Sequence, residues 1–104
     1  MSKPVPTLVT YVPHPDKEPE FLALLAKHWP ALVKVGLVTD TAPKFWRGLD
    51  RRSGRRSILE LFEWKDETAS STAHQTPEVM AIWEPMGPLL ESMTITAVEA
   101  FEPV

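Results

Sequence analysis

The sequence predicts an α+β domain in which four strands form one antiparallel sheet and two helical regions cover one of its faces. Three observations support this class. A segment rich in β-branched residues precedes a stretch with helical apolar spacing, two extended segments flank a short glycine-containing loop, and a second helical region precedes a last extended segment. The resulting order is β-α-β-β-α-β.

The first strand is predicted over residues 7–12, "TLVTYV", because β-branched and aromatic residues are concentrated there between prolines. Asp16 is expected to cap the helix that follows. Pro30 predicts a kink near Trp29, and Gly36 is expected to end the helix. The apolar stripe that defines this helix consists of Phe21, Leu22, Leu25, Trp29, Leu32 and Val33.

A β-hairpin is predicted next, with strands over residues 44–50 and 55–65 joined through "RRSG". Successive side chains of a strand point to opposite faces, so the second strand of the hairpin should have two distinct faces. Ile58, Glu60, Phe62 and Trp64 are expected on one face, and Leu59, Leu61 and Glu63 on the other.

The second helical region is expected to begin at Asp66 and to restart at Thr76, with Pro77 in the first helical position. Pro85 and the following "GP" should break it into short pieces. The last strand is predicted over residues 93–104. These elements form one domain of 104 residues with a ferredoxin-like plan.

Composition removes several classes of function. The chain has no cysteine, which excludes disulfides and thiolate chemistry. Its net charge is −3, and its only basic cluster, residues 47–56, is predicted to be a hairpin tip, so nucleic acid is not an expected partner. Neither a signal peptide nor a membrane-spanning run is recognisable, which predicts a soluble cytoplasmic protein without membrane contact.

No metal or cofactor is expected. The three histidines, which include His14 and His28, lack the His-x₃-His spacing of a metal site, and no glycine-rich phosphate-binding loop is present. The apolar second face of the strand that carries Leu61 needs a cover, so we expect a homodimer in which two sheets face each other.

The run "LELFEWKDETASSTAHQTPEV" and the overall plan resemble the dimeric α/β-barrel proteins, specifically the antibiotic biosynthesis monooxygenase-like family. The residues that carry the resemblance are Glu63-Trp64, Asp66, His74 and Thr76-Pro77. Members that oxidise polycyclic phenols without a cofactor have an asparagine four residues before the tryptophan, where this chain has Glu60. Haem-degrading members have an asparagine on the first strand, which residues 7–12 lack, and a haem-ligating histidine that aligns near Glu84.

Two side chains are candidates for proton transfer. His74 suits proton abstraction near neutral pH, and the alternative is that it closes the loop between two helical pieces through a backbone hydrogen bond. Glu60 shares a strand face with aromatic residues, where a carboxylate needs either a partner or a function. It is interpreted either as a base in an apolar pocket or as the partner of Arg47 or another hairpin arginine across the sheet.

The function predicted from these observations is a small cofactor-free enzyme, monooxygenase-like or isomerase-like, that acts on a small aromatic or polyketide-like molecule. Its apolar pocket between sheet and helices is expected to be lined by Trp64, Phe62, Met80, Trp83 and Tyr11. The alternative is a module of the same fold that binds a small ligand or dimerises without catalysis. Aromatic residues also serve plain core packing, so both interpretations use the same side chains.

Overall fold

The computed structural model describes residues 3–103. Its strands are β1 (Val5–Pro13), β2 (Lys44–Leu49), β3 (Arg56–Trp64) and β4 (Leu90–Ala97), and its helices are α1 (Glu18–Lys34), α2 (Ala69–Ala73) and α3 (Pro77–Met86). The strands form one antiparallel sheet in the order β2-β3-β1-β4. The predicted ferredoxin-like α+β fold is therefore confirmed. Within residues 3–103, no helix is long and apolar enough to cross a membrane.

Strand β3 lies inside the sheet, between β1 and β2, and its side chains alternate as predicted. Those that point toward the helices are fully buried, whereas those on the opposite face remain partly exposed. The buried set is Ile58, Glu60, Phe62 and Trp64. A glutamate thus lies in the middle of an otherwise apolar row.

Helix α1 buries one stripe of side chains against the sheet. The buried members, Phe21, Leu25, His28 and Leu32, follow the spacing of one helical face. The helix continues through Pro30, because packed residues on both sides of the proline offset the lost backbone hydrogen bond. Asp16 does not cap α1; it lies in a 3-10 turn, Pro15–Lys17, and Lys17 precedes the helix without a capping side chain.

The end of α1 is fixed by Gly36, as the sequence predicts. Gly36 has a φ of 72°, a left-handed conformation that favours glycine. Its N–H donates to the carbonyl of Val33, and the N–H of Leu37 donates to the carbonyl of Leu32. The N···O distance is 3.0 Å in both hydrogen bonds. This pair of bonds is a Schellman motif, which turns the chain toward β2.

The second helical region is divided as predicted, with different capping bonds. Asp66 Oδ1 accepts hydrogen bonds from the backbone N–H and the hydroxyl of Thr68, the residue that precedes α2. Thr76 precedes α3 and Pro77 is its first residue, but the Thr76 hydroxyl donates to the carbonyl of Thr72. The chain therefore turns between the two helices within a few residues.

Of two predicted boundaries near the end of the chain, one is confirmed in part and one is wrong. Pro85 lies inside α3, because a proline in the last turn removes a single hydrogen bond, but the helix does end at Met86 and a separate 3-10 turn follows at Gly87–Leu89. The last strand occupies Leu90–Ala97 rather than residues 93–104. Strand β4 pairs only with β1, which begins at Val5, so the described residues beyond Val98 have no neighbouring strand to pair with.

The sheet face that points away from the helices has an apolar centre. Leu8 lies opposite Leu61, and Trp46 lies opposite Leu59. Trp46 is 48% exposed, and the three leucines are partly exposed. No element of the described chain covers this face, which we refer to below as the open face.

Candidate active site

The buried glutamate of β3 forms two hydrogen bonds to side chains from other elements. Glu60 is 0% exposed. Its Oε1 accepts a hydrogen bond of 2.6 Å from the hydroxyl of Tyr11 on β1, and its Oε2 lies 3.0 Å from Nδ1 of His28 on α1. A carboxylate has acceptors only, so both partners must supply the proton. The polar atoms of this glutamate are thereby satisfied inside the core.

Tyr11 acts in this network as a hydrogen-bond donor. Burial raises the pKa of its hydroxyl far above the usual value, and the negative charge of Glu60 and the hydrogen bond to it raise the pKa further. The phenol therefore keeps its proton, and its hydrogen points at Glu60. Its ring packs against Phe21 with ring centres 4.8 Å apart, which fixes the position of the hydroxyl.

His28 has one nitrogen in use and one without a partner. Because Tyr11 donates to one oxygen of Glu60, the other oxygen accepts from Nδ1 of His28, so Nδ1 carries the proton in the neutral imidazole. Nε2 is buried and has no hydrogen-bond partner within residues 3–103. A buried nitrogen with a free lone pair is costly to leave unmatched, unless a ligand or solvent molecule meets it.

A cavity of about 390 Å³ lies between the helices and the sheet, and His28 lines it. This volume lies within the range of small-molecule sites, roughly 300–1,000 Å³. The lining includes six residues that the sequence predicts for the site: Tyr11, Phe62, Trp64, His74, Met80 and Trp83. Glu60 does not line it and contacts it only through Tyr11 and His28.

The aromatic walls of the cavity pack edge to face. Phe62 and Trp64 have ring centres 4.9 Å apart, and Trp64 and Trp83 have ring centres 6.5 Å apart with nearly perpendicular planes. The His28 ring stands perpendicular to Phe62 at 5.7 Å. These contacts hold the rings in fixed orientations, leaving flat apolar surface toward the cavity.

His74 lies at the exposed end of the same cavity. Its Nδ1 lies 2.8 Å from the carbonyl oxygen of Ser70, so this nitrogen is the donor, and its ring packs against Trp83 at 4.9 Å. The backbone contact expected of a loop-closing histidine is therefore present. The ring nevertheless lines the cavity, and its Nε2 is not engaged by that bond.

The structure corrects one interpretation and adds one residue. Glu60 is bonded to Tyr11 and His28 and not to Arg47, because Arg47 pairs with Ile58 across the hairpin while Phe45 lies beside Glu60. His28 is the residue that the site analysis of the sequence missed. The available signal was its place on the face of α1 that contains Phe21, Leu25 and Leu32.

Metal binding has no support in the geometry. Among residues 3–103, no group of three histidine, cysteine or acidic side chains is arranged to hold a metal ion.

No protein-family model and no curated protein matches this sequence. Solved structures do match over nearly the whole chain. SnoaB, a cofactor-independent oxygenase from Streptomyces nogalater, has a TM-score of 0.70 at 14% identity and covers 99% of this chain and 100% of its own. Rv0793 from Mycobacterium tuberculosis has a TM-score of 0.68 at 16% identity, covering 97% of this chain and 98% of its own.

A third match, described as an antibiotic biosynthesis monooxygenase, has a TM-score of 0.69 at 12% identity and covers 94% of this chain and 99% of its own. The fold implied by the sequence resemblance is thus shared with solved proteins of that description. At these identities the likeness concerns the fold, and any activity must be argued from the site.

Proposed function

We propose that this protein is a cofactor-free enzyme that removes a proton from a small hydroxyaromatic or polyketide-like molecule, and that the resulting anion reacts with dioxygen. The observation that supports this proposal is the arrangement of His28. His28 lines an apolar cavity, its Nδ1 is bonded to Glu60, and its buried Nε2 has no partner among the described residues.

In this proposal His28 is the general base and Glu60 is a positioning residue. The carboxylate fixes the tautomer in which Nε2 holds the lone pair, and it stabilises the imidazolium that forms when Nε2 accepts a proton. Tyr11 supplies the second hydrogen bond that the buried carboxylate needs. This division of roles replaces the expectation that Glu60 itself takes the proton.

The walls of the cavity suit a planar substrate. Phe62, Trp64 and Trp83 present aromatic surface, and Met80 adds a flexible apolar side chain. A flat ring bound between these side chains would place a hydroxyl or an acidic carbon near Nε2. Holding the reacting groups together in this way lowers the barrier independently of the base.

The proposed reaction balances without any further reagent. His28 Nε2 takes a proton from the substrate, and the electron-rich anion transfers electrons to dioxygen, the oxidant. For a ring methylene, one oxygen atom becomes the new carbonyl oxygen, and the other leaves as water with the two hydrogens. If oxygen is not used, return of the proton to another carbon gives an isomerase by the same base.

SnoaB supports the oxygenase form of the proposal, since that protein is a cofactor-independent oxygenase with the same fold. The resemblance extends to Trp64 but not to the asparagine that related enzymes have at the position of Glu60. In this chain a histidine from α1 would therefore supply the proton-accepting group.

The assembly proposed for the enzyme is a homodimer that buries the open face. Leu8, Leu59, Leu61 and Trp46 give that face an apolar centre without a cover in the described chain. A specific interface of this kind buries more than about 1,000 Å² in total.

The proposal is tested by oxygen consumption with a panel of naphthols, quinols and anthrones. His28→Gln should lower the rate about 10²–10⁴-fold, the usual contribution of a general base. His14→Gln is the matched control, because His14 lies outside the cavity at the end of β1. Ligand binding without oxygen uptake or isomerisation would favour the non-catalytic binding module instead.

A further inference from the structure

The acidic and basic side chains that the structure describes around the cavity include carboxylates and imidazoles but no lysine or arginine. No lysine or arginine of the described chain lines it, whereas the acidic residue Glu84 does. A second carboxylate, Glu60, lies behind Tyr11 and His28. The other lining residues with polar side-chain atoms are Thr7, Tyr11, His28, Trp64, Ser70, His74, Trp83 and Ser92.

We infer that the cavity selects uncharged hydroxyaromatic molecules and rejects their carboxylated counterparts. This inference names the substrate class of the proposed activity and rests on it. Its physical basis is the juxtaposition of an apolar cavity, two carboxylates and no cationic side chain.

Hydration is the first reason. A carboxylate that enters an apolar cavity loses bound water and needs a cation or several donors in return. Apart from the two imidazoles, the described lining offers only neutral donors, such as the hydroxyls of Ser70 and Ser92 and the indole N–H groups of Trp64 and Trp83, and no lysine or arginine to balance a negative charge.

The charge balance of the base is the second reason. When His28 accepts a proton from the substrate, its positive charge is matched by the carboxylate of Glu60, 3.0 Å away. The negative charge of the substrate anion then has no positive charge left to balance it, so the site as a whole is negatively charged. A further carboxylate on the ligand would raise that negative charge in a region of low dielectric.

The rim of the cavity offers no exception. Met93 and Ile95 of β4 line it and are 51% and 60% exposed, so they form an apolar edge. Glu84 is exposed and lines the cavity as well. A ligand carboxylate turned toward solvent would therefore lie near the negative charge of Glu84, which repels it, and near no positive charge in the described lining.

The experiment compares a hydroxynaphthoate with the hydroxynaphthamide of the same substitution pattern. The two have nearly the same shape, and only the acid is charged at neutral pH. Binding is followed by quenching of tryptophan fluorescence, since Trp64 and Trp83 line the cavity. We expect the amide to bind at least about tenfold more tightly, equal to about 1.4 kcal/mol.

Two variants locate the source of the preference. Met93→Lys places an ammonium at the rim and should bring the acid-to-amide affinity ratio near one or reverse it, whereas Met93→Gln should not. Glu84→Gln should narrow the ratio in part, because solvent and salt screen an exposed carboxylate. Using the ratio cancels any general loss of affinity in a variant.

Equal affinities of the parent protein for acid and amide would overturn the inference, as would failure of both to bind at millimolar concentration. The titration needs no turnover, so it separates this inference from the proposed function. Preference for the amide without oxygen uptake or isomerisation supports the selection and contradicts the proposed enzyme. If the acid is oxidised as fast as the amide, the proposed selection is wrong and the proposed oxygenase activity is supported.

Discussion

Nδ1 of His28 lies 3.0 Å from Oε2 of Glu60, and this contact joins helix α1 to strand β3 inside the core. The two side chains are 2% and 0% exposed. A carboxylate in contact with one imidazole nitrogen determines which nitrogen holds the proton. His28 lines the cavity and its other nitrogen, Nε2, is buried without a partner in the described chain, so this one contact connects the fold to the proposed chemistry.

Glu60→Gln should invert the tautomer of His28. The amide oxygen of the new glutamine would accept from Tyr11, and its NH₂ group would donate to Nδ1, which moves the imidazole proton to Nε2. The base then becomes a donor, and the rate should fall about 10²–10⁴-fold with the fold retained. Nitrogen NMR of labelled histidine reports the tautomer, and only three histidines contribute signals.

Glu60→Ala is the contrasting variant for the same contact. It removes both acceptors and leaves the hydroxyl of Tyr11 and Nδ1 of His28 buried without partners, at a cost of about 1–3 kcal/mol for each group. Chemical denaturation should therefore show a large loss of stability for alanine and a small one for glutamine. Equal losses would indicate that the glutamine does not preserve the two hydrogen bonds.

Tyr11 should resist ionisation at alkaline pH as long as the protein is folded. Its pKa is raised by burial first and by Glu60 second, so the folded state holds the proton more tightly than the unfolded state. The stability from this difference is complete below about pH 10, the ordinary tyrosine pKa, and is lost as the pH rises above it. The chain has one tyrosine, so tyrosinate absorbance reports this group alone.

The tyrosinate absorbance should therefore appear at the same pH at which the protein unfolds, and circular dichroism monitors the unfolding. Tyr11→Phe should remove the tyrosine contribution to the decline of stability at high pH. A tyrosinate signal that develops near pH 10 in a still folded protein would contradict the buried hydrogen bond to Glu60.

Leu61→Asp should abolish the proposed dimer. The side chain lies on the open face opposite Leu8, where a charge would have to be buried between two sheets. Leu49→Asp is the control, because Leu49 is 64% exposed and belongs to the other face of β2. Light scattering at micromolar concentration should give a dimer for the parent and the control, and a monomer or an unfolded chain for Leu61→Asp.

His74→Ala should cost about 1 kcal/mol of stability, the usual net contribution of a hydrogen bond such as that to Ser70. It should also weaken the binding of aromatic ligands, because the His74 ring packs against Trp83 in the cavity wall. The rate at saturating substrate should change much less than in His28→Gln. A loss of rate as large as that of His28→Gln would make His74 the base.

Much of the fold was predictable because its signals are local. The alternation of β3, the glycine end of α1 and the hairpin around Gly54 depend on residues close together in the chain, and the structure has them where the sequence indicates. The predicted continuation of α1 past Pro30 toward Gly36 is also found, because packing against the sheet outweighs the local effect of proline.

The site was predictable only in part. The position of Glu60 among apolar residues of β3 indicated that it needed a partner, and six of the predicted residues meet around one cavity. The partner itself, His28, lies 32 residues away in sequence on another element. Only the packing of α1 on the sheet brings the two together, although the helical stripe already placed His28 on the buried face.

The most direct test is nitrogen NMR of labelled histidine during titration with a naphthol, with tryptophan quenching as the independent measure of binding. We expect the Nε2 signal of His28 to shift as the cavity fills, while Nδ1 remains protonated and His14 is unchanged. If the naphthol quenches the tryptophans and the Nε2 signal of His28 does not move, His28 does not meet the ligand and the proposed base is wrong.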